Sequence, residues 1–399
     1  MNPLTPEAAL ERLIASIQTR PATETIPLER SQGRMLAEDI CARCDLPPDD
    51  VSMMDGYAVR LADLDRPLPI SQRIAAGQKA QPLAPQSVAR LFTGACLPPG
   101  ADAVVMQEDS ERVGTEVHFT RSPRLGQNIR QRAEDARVGD VVRRAGNRVR
   151  PQDMGLLAAV GIESVVVYRK LSIAVFFTGD ELVQPGHPLA PGQIYNSNRF
   201  VLHGLLEALH CTVVDLGVVP DRFDQTLSAL TMAASVADII LTCGGVSVGE
   251  EDHVRTAVEH IGRIDLWRVA IKPGKPFAFG QVKGVPFLGL PGNPVSAFVI
   301  FCLFVRPFIL SSQGSLDWQP LTYQIRADFD WPQARERTEW LRARLHNDGG
   351  SSFLTLVANQ GSASLTSLVQ ADGLVEIPAG HSVARGDTVR FMPFSGLLI

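Results

Sequence analysis

The feature that most constrains the fold is an alternation of predicted strands and helices between residues 171 and 310. Short apolar runs bounded by glycine or proline indicate buried strands, and segments with apolar residues three or four positions apart indicate helices. The predicted strands are Leu171–Phe177, Thr212–Val219, Ile239–Cys243, Leu266–Ile271, Pro276–Val282 and Val285–Leu290, and the predicted helices are Asn198–His210, Asp224–Ser235, Asp252–Ile261 and Val295–Leu310. This order predicts a doubly wound, mainly parallel sheet that binds ligands at the carboxyl ends of its strands.

The chain of 399 residues exceeds one hydrophobic core, so several domains are expected. The flanks of the α/β unit carry short valine-rich runs between turns, which indicate β structure. We therefore predict an α/β multidomain protein with an inserted small β domain, a connecting layer and a C-terminal β-barrel-like domain. The expected boundaries are 1–20 for an N-terminal helix packing on the α/β domain, 21–45 and 142–170 for the connecting domain, 46–141 for the inserted β domain, 171–318 for the α/β domain and 319–399 for the C-terminal β domain.

Composition narrows the class of function. The net charge of -5 gives no general attraction to nucleic acid, so an anionic ligand needs local cations. The longest apolar run, Val295–Val305, is shorter than the roughly 20 residues that span a bilayer. The acidic residues Glu7 and Glu11 interrupt the start of the chain, which argues against a signal peptide. We expect a cytoplasmic protein without nucleic-acid or membrane partners.

The six cysteines do not have the spacing of a disulfide framework or of a metal site. Cys41 and Cys44 form a single C-x-x-C without a second pair. Cys211, Cys243 and Cys302 lie inside apolar runs, so we expect buried thiols there. This pattern fits a reducing compartment.

Five loops at the ends of predicted strands carry glycines and charged residues: 177–181, 219–221, 242–252, 271–276 and 290–296. Glycine-rich loops before helices expose backbone N–H groups to phosphate oxygens. Lys272 and Lys275 add positive charge from one short loop. Carboxylates opposite bound anions imply a bridging divalent cation, so we predict Mg²⁺ held by Glu181, Asp221 and Asp252.

Each of these residues also has a purely structural interpretation. Asp252 fits a helix N-cap, Asp221 a turn residue after a proline, and Glu181 a solvated carboxylate. Asp55 and Asp135 in the β domain fit turn aspartates equally well. The combination of five such loops at one sheet edge favours a functional site in the α/β domain.

The longest motifs together resemble those of the molybdopterin molybdenumtransferases, a family that includes the C-terminal part of gephyrin. The motifs that carry the resemblance are 54–59 (MDGYAV), 92–95 (FTGA), 178–182 (TGDEL), 244–247 (GGVS), 271–276 (IKPGKP) and 290–294 (LPGNP). The resemblance covers essentially the whole chain. It implies four structural domains, a homodimer, and Mg²⁺-dependent insertion of molybdate into adenylylated molybdopterin with release of AMP.

The resemblance also implies roles for individual residues. The implied catalytic residues are Asp55, Thr93, Asp135, Glu181, Asp221, Asp252, Lys272 and Lys275. The implied substrate- or cofactor-binding residues are Arg130, Gly244, Gly245, Ser247, Pro291, Gly292, Asn293, Pro294, Arg342 and Ser362. In the family the cleft lies between one subunit's α/β domain and the partner's β domain, and the implied partners include the adenylylating enzyme and cofactor acceptors. Two departures from the family pattern are Met53, where a small residue is usual, and Ala133, in place of a glycine.

Two other functions stay open from the sequence. A nucleotide pyrophosphatase uses a similar α/β scaffold and needs neither molybdate nor an inserted β domain. A non-catalytic pterin carrier binds the pterin without forming AMP, although the set of acids and lysines argues against it. The sequence does not separate molybdate from tungstate, because the two oxyanions have nearly the same size and charge.

Overall fold

The computed structural model describes residues 3–246 and 253–397, without the side chain of Trp267. Up to residue 170 its elements are α1 (Pro6–Ala15), β1 (Thr23–Pro27), β2 (Ile40–Cys41), β3 (Val51–Ser52), β4 (Gly56–Val59), β5 (Leu68–Ile74), β6 (Val88–Leu91), β7 (Ala103–Met106), β8 (Ser110–Val113), β9 (Glu116–Phe119), β10 (Ile129–Arg130), β11 (Val141–Arg143), α2 (Pro151–Ala159) and β12 (Ser164–Tyr168). The predicted N-terminal helix is present. Thr5 caps α1 by accepting a hydrogen bond from the Ala8 amide at 3.3 Å, and Leu13 packs into the core of the α/β unit.

Six strands of the inserted segment form one sheet in the order β7-β4-β6-β5-β9-β8. The antiparallel pairs β1–β12 and β2–β11 join the chain before the insertion to the chain after it. The valine-rich run Val51–Val59, which its sequence pattern predicts as a single strand, is instead divided by a turn at 53–55 into β3 and β4. Ser52 stabilises this turn by donating its hydroxyl hydrogen bond to the Met54 carbonyl at 2.6 Å. Strand β5 was not predicted, and its exposed positions are Pro69, Ser71 and Arg73.

The central unit contains β13 (Ser172–Thr178), β14 (Leu182–Val183), β15 (Ile194–Tyr195), α3 (Ser197–Ala208), β16 (Thr212–Val219), α4 (Phe223–Val236), β17 (Ile239–Cys243), α5 (His253–Ile261), β18 (Gly262–Arg268), β19 (Ile271–Lys272), β20 (Pro276–Val282), β21 (Val285–Leu290), α6 (Pro294–Ile300) and α7 (Arg306–Ser312). Its sheet has the order β16-β13-β17-β21-β20-β18. The first four strands are parallel, and β20 and β18 are antiparallel to their neighbours, so the doubly wound, mainly parallel sheet is confirmed.

The predicted strand Leu266–Ile271 is wrong in its position and its pairing. The chain leaves the central sheet after β18, and the following strand β19 pairs with a strand of the C-terminal domain. Strands β18 and β20 pair with each other in the central sheet, and the segment between them contains β19. This segment therefore connects the α/β domain to the C-terminal domain.

The segment Pro294–Ser312 is a continuous helical stretch of 19 residues, with a π-helical turn between α6 and α7 at Phe301–Val305. By length and by its mean hydropathy of 2.0 it could cross a membrane, so the sequence argument from a short apolar run was wrong. In the structure 94% of its 18-residue apolar window is buried inside the molecule. Phe304 stacks on Phe277 with ring centroids 5.1 Å apart, so the helix is apolar because it forms the core.

The C-terminal segment contains β22 (Tyr323–Ala327), β23 (Thr338–Asp348), β24 (Ser351–Leu356), α8 (Leu365–Gln370), β25 (Gly373–Ile377) and β26 (Thr388–Pro393). The order β23-β24-β22-β26-β25 is closed by pairing of β25 with β23, which confirms the predicted barrel. Strand β19 adds to β23 through the pairs Ile271↔Thr338 and Lys272↔Glu339. The short helix α8 was not predicted.

Candidate functional site

A cleft of about 680 Å³ lies at the carboxyl ends of β13, β17 and β21. The register pairs Phe177 with Cys243 and Cys243 with Leu290, so three of the predicted loops begin at the same sheet edge. The predicted residues that line the cleft are Glu181, Asp221, Gly244, Gly245, Pro291, Gly292, Asn293 and Pro294. Ser247 and Asp252, which were also predicted, lie outside the described residues. The folded sheet therefore brings residues from four separate loops into one cavity.

The two glycines after β17 are required by their backbone conformation and by close packing. Gly244 has φ +102° and Gly245 has φ +63°, values that favour glycine. A Cβ on Gly244 would lie 2.5 Å from the Thr178 carbonyl oxygen, and one on Gly245 would lie 2.5 Å from Cγ2 of Val254. The glycines thus allow this loop to approach the end of β13 and to form the floor of the cleft.

Two carboxylates reach the cleft from neighbouring loops. Glu181 is exposed, and its carboxylate folds back over Gly179, where a Cβ would lie 2.6 Å from Oε2. Asp221 is half-buried, and its amide donates to Oδ1 of Asp180 at 3.3 Å. Both acids fit Mg²⁺ by donor type, since carboxylate oxygens are its preferred protein ligands. Over residues 3–246 and 253–397, no group of three or more His, Cys, Asp or Glu side chains could hold a metal ion.

Sequence reasoning missed two asparagines at the start of α3. Asn196 caps the helix by accepting a hydrogen bond from the Arg199 amide at 3.2 Å. Asn198 donates to the Gly292 carbonyl at 2.7 Å and lies 3.1 Å from the sulfur of Cys243, so it links α3 to two of the loops. The Asn-Ser-Asn sequence before an apolar helical stripe was the available signal, because such residues begin helices.

The floor of the cleft has unused hydrogen-bonding groups. Within the described part of the chain, Oγ1 of Thr178, Nδ2 of Asn196 and Oδ1 of Asn198 are buried and lack a hydrogen-bond partner. Buried polar atoms without partners are rare in native structures, so these groups indicate a place for a polar ligand. Burial raises the pKa of the Cys243 thiol to about 12, so this cysteine stays protonated and is not a nucleophile at neutral pH.

The two predicted lysines lie outside the lining of the cleft, in a neighbouring group of cations. Nζ of Lys272 is 2.8 Å from Oε1 of Glu339, a buried carboxylate that also lies 3.3 Å from Nε of Arg335. Arg337 donates to the Ile271 carbonyl at 3.3 Å. Lys275 is exposed and adjoins Pro276, which does line the cleft. Sequence reasoning missed the two arginines because only the pairing of β19 with β23 brings them to this loop.

The predicted residues of the β domain form two local pairs. Oδ1 of Asp55 accepts hydrogen bonds from the amide and the hydroxyl of Thr93, both at 2.8 Å. Both bonds lower the pKa of Asp55, and the bond from the Thr93 amide has the larger effect. Arg130 forms an ion pair with Asp135.

The two pairs are linked through β3, because Ser52 pairs with Ile129 and accepts a hydrogen bond from the Gly94 amide at 2.8 Å. Ala133 has φ +59°, a backbone conformation that favours glycine, the residue that the resemblance implies at this position. Among the described residues, none of those lining the α/β cleft comes from the inserted sheet. The β-domain pairs and the cleft are therefore separate sites within one chain.

The two predicted residues of the C-terminal domain take different positions. Ser362 lies at the edge of the cleft, where its hydroxyl is 3.3 Å from Nδ2 of Asn293. Arg342 is completely buried and does not line the cleft. Its guanidinium donates to main-chain carbonyls and to the Ser367 hydroxyl.

The fold and the cleft define a multidomain α/β protein with a ligand site at the carboxyl ends of a parallel sheet. Three family models match the chain: the MoeA N-terminal region (domain I and II) over residues 4–161, the probable molybdopterin binding domain over 174–311 and the MoeA C-terminal region (domain IV) over 324–394.

Curated relatives match over nearly the whole chain. The molybdopterin molybdenumtransferase of Haemophilus influenzae is 40% identical and covers 99% of this chain and 100% of its own length. The molybdopterin molybdenumtransferase of Bacillus subtilis is 34% identical, and the match covers 98% of this chain and 94% of the relative. The crystal structure of the molybdopterin biosynthesis MoeA protein from Pyrococcus horikoshii OT3 superposes with a TM-score of 0.84 at 29% identity, covering 98% of this chain and all of that one (100%). The chain therefore belongs to the molybdopterin molybdenumtransferase family. It is an enzyme of the transferase type and acts in molybdenum cofactor biosynthesis.

Proposed function

We propose that this chain inserts molybdate into adenylylated molybdopterin and releases AMP in a Mg²⁺-dependent reaction. The observation that carries the proposal is the single cleft in which Glu181, Asp221 and the glycine loops meet beside a group of cations. A cleft of about 680 Å³ has the volume typical of small-molecule sites. The unpaired polar atoms of its floor supply hydrogen-bonding groups for a polar heterocycle.

The charges near the cleft support this reaction. Molybdate and a pyrophosphate are both anions, and their repulsion must be offset before they can react. In the proposal Lys275 reaches the oxyanions, because it is exposed next to the cleft. Lys272 is anchored by its ion pair with Glu339 and holds the loop in place.

Glu181 and Asp221 are the proposed ligands of Mg²⁺, whose charge would stabilise the departing phosphate. The asparagines of α3 orient the substrate, since Asn198 fixes the carbonyl of Gly292 at the rim of the cleft. The chemistry of the dithiolene belongs to the pterin, and the protein contributes position and charge.

The proposal includes a homodimer in the cytoplasm. The pairs Asp55–Thr93 and Arg130–Asp135 are polar groups in which Thr93 and Asp135 are exposed and Asp55 and Arg130 are half-buried, and none of the four lines the cleft. In the proposed dimer the β domain of the partner subunit carries its copies of these groups to the open side of the cleft. The adenylylating enzyme and the cofactor acceptors are further proposed partners.

The first test compares Asp221→Ala and Lys275→Ala with the control Lys283→Ala, which changes an exposed lysine in the turn between β20 and β21. Each purified variant is incubated with adenylylated pterin, Mg²⁺ and molybdate, and AMP and bound molybdenum are measured. We expect the two site variants to lose about 100-fold or more of molybdate-driven AMP release, as removal of transition-state charge stabilisation does. Circular dichroism should show an intact fold. Normal turnover in either site variant would refute the assignment.

Two results with the wild-type chain would support the other functions. AMP release without molybdate would indicate a pyrophosphatase, and tight pterin binding without AMP would indicate a carrier. Repeating the wild-type reaction with tungstate measures the oxyanion preference.

A further inference from the structure

The turn that carries Asp55 lies between β3 and β4 and is held by residues outside it. The Asp55 carbonyl accepts a hydrogen bond from the Gln107 amide at 3.0 Å. The next residue, Gly56, packs so closely on β7 that a Cβ would lie 2.0 Å from the Val105 carbonyl oxygen. The position of the Asp55 carboxylate therefore depends on how the main chain at 55–56 is fixed.

Arg90 of β6 contacts the same main chain from the neighbouring strand. Its Nη1 atom donates to the Gly56 carbonyl at 3.2 Å, and its Nη2 atom donates to Oε1 of Gln107 at 2.6 Å. The register pairs Arg90 with Tyr57, the residue that follows Gly56 on β4. The guanidinium therefore joins the carbonyl that follows Asp55 to the residue whose amide holds the Asp55 carbonyl.

Two aromatic rings hold the guanidinium in this position. Cζ of Arg90 lies 5.1 Å from the ring centroid of Tyr57 and 5.0 Å from that of Phe92. Cations within about 6 Å of a ring centroid are attracted to the face of the ring. Phe92 directly precedes Thr93, so one arginine contacts both motifs that supply the Asp55–Thr93 pair.

The contacts at this position suit an arginine better than a lysine. The planar fork of arginine reaches two acceptors while its face stacks on the rings, whereas lysine offers a single ammonium group. The charge also acts on Asp55, whose pKa is lowered first by the Thr93 amide, then by the Thr93 hydroxyl, and also by Arg90. Arg90 thus favours the ionised form of Asp55 and fixes the main chain that carries it.

We propose that Arg90 is a positioning residue that, together with Gln107, holds the turn of Asp55 in the arrangement that the reaction requires. The inference rests on the proposed function, because the proposed dimer brings Asp55 to the substrate cleft. Neither Arg90 nor Gln107 is among the residues to which the family resemblance assigns a role.

Hydrogen exchange without substrate tests the structural half of this proposal. The reporters are the backbone amides at positions 93 and 107, because both donate to Asp55. We expect them to exchange about tenfold faster in Arg90→Met, Arg90→Lys and Gln107→Ala, with the other amides of the inserted sheet within about twofold of wild type. Lysine keeps the charge but lacks the fork, so it should not restore the protection of these amides.

The matched control for this measurement is Arg73→Met. Cζ of Arg73 lies 4.5 Å from the same Phe92 ring centroid, but among the described residues it forms no hydrogen bond with the turn of Asp55. The control therefore removes a cation from the ring without removing a contact to the turn. We expect both reporter amides to exchange as in wild type.

A double-mutant cycle tests the functional half. We expect kcat for molybdate-driven AMP release to fall about tenfold in Arg90→Met, with KM within about twofold, because only the placement of Asp55 changes. In an Asp55→Asn background, measured with enzyme in excess, the same substitution should change the rate by less than about twofold, since a role exercised through Asp55 disappears with its carboxylate. A purely structural role would lower the rate by the same factor in both backgrounds.

Equal losses in the two backgrounds would overturn the proposal, and so would unchanged exchange at positions 93 and 107 in Arg90→Met. If Arg90→Met does not fold, Gln107→Ala decides both measurements, because Gln107 is exposed and its removal leaves the guanidinium on its two rings. A wild-type chain that forms no AMP would refute the proposed function, while the exchange data would still decide whether Arg90 and Gln107 hold the turn.

Discussion

Neighbouring residues of one motif take different tasks in this structure. Lys272 and Lys275 are three positions apart, yet Lys272 is paired with the buried carboxylate of Glu339 and Lys275 is exposed. Ser362 and Arg342 differ in a similar way, since Ser362 lies at the edge of the cleft and Arg342 is buried inside the protein. A motif therefore gives the kind of residue that a site needs, and the surroundings of each residue decide what it contacts.

Asp55 provides a prediction at this scale, because its acidity depends on one neighbour. Thr93→Val removes the hydroxyl that donates to Asp55 at 2.8 Å, so the pKa of Asp55 should rise toward its usual value. A carboxyl whose pKa is lower in the folded chain than in the unfolded chain stabilises the fold at pH values above its pKa in the unfolded chain. This contribution disappears as the pH falls through its pKa in the folded chain. The variant should therefore have a lower free energy of unfolding than wild type at neutral pH. The difference in free energy of unfolding between variant and wild type should shrink below about pH 4.

Carbon-detected NMR titration of the aspartate carboxyls measures this change directly. The control is Asp45, whose pKa is lowered by the Val138 amide and by Arg132 and should not change. An Asp55 titration that is the same in Thr93→Val and wild type would contradict the role of the hydroxyl.

At the scale of elements, the turn after β17 determines the shape of the cleft. Parallel strands bring the loops to one edge, but only residues without a Cβ let this turn pack against the end of β13. The predicted glycines thus have a structural task in addition to any contact with phosphate.

Gly244→Ala tests this task. A Cβ there would meet the Thr178 carbonyl oxygen at 2.5 Å, in a backbone conformation with φ +102°. We expect the free energy of unfolding to fall by about 1–3 kcal/mol, since overpacking against main chain forces a local shift. The control Gly292→Ala lies in the same cleft, where the nearest atom to a new Cβ is 4.0 Å away, and should be nearly neutral. Urea unfolding measures both variants, and equal losses would contradict the packing argument.

At the scale of the whole molecule, the loop between β18 and β20 joins the α/β unit to the barrel. Strand β19 pairs with β23, and Glu339 of β23 contacts Lys272, Arg335 and the indole N–H of Trp331. The hydrophobic core is also shared, because Trp340 and Leu374 of the barrel belong to the same cluster as the helix Pro294–Ser312. The cation group beside the cleft therefore depends on how the two domains are joined.

Glu339→Gln tests this connection. Glutamine keeps the shape but removes the charge that holds Lys272 and Arg335, so we expect a loss of about 1–3 kcal/mol in the free energy of unfolding. The loss should lie toward the low end, because the side chain of Lys272 is 38% exposed and partly screened by solvent. Asp265→Asn, which breaks the more exposed pair with Arg263, is the control and should cost less. Equal losses in the two variants, measured by urea unfolding, would contradict a connecting role for Glu339.

The sequence by itself determined the doubly wound sheet, the C-terminal barrel and the family, because apolar periodicity and long motifs are local properties of the chain. It also placed Glu181, Asp221 and the glycine loops at one sheet edge, since parallel strands put their carboxyl ends together. Only the tertiary structure decided that Lys272 is ion-paired, that Arg335 and Arg337 join it, and that Arg342 is buried. The contacts of Lys272 with Glu339 and of Arg337 with Ile271 join residues 67 and 66 positions apart, and those of Arg342 with Asn359 and Ser367 join residues 17 and 25 positions apart, so no local pattern encodes them.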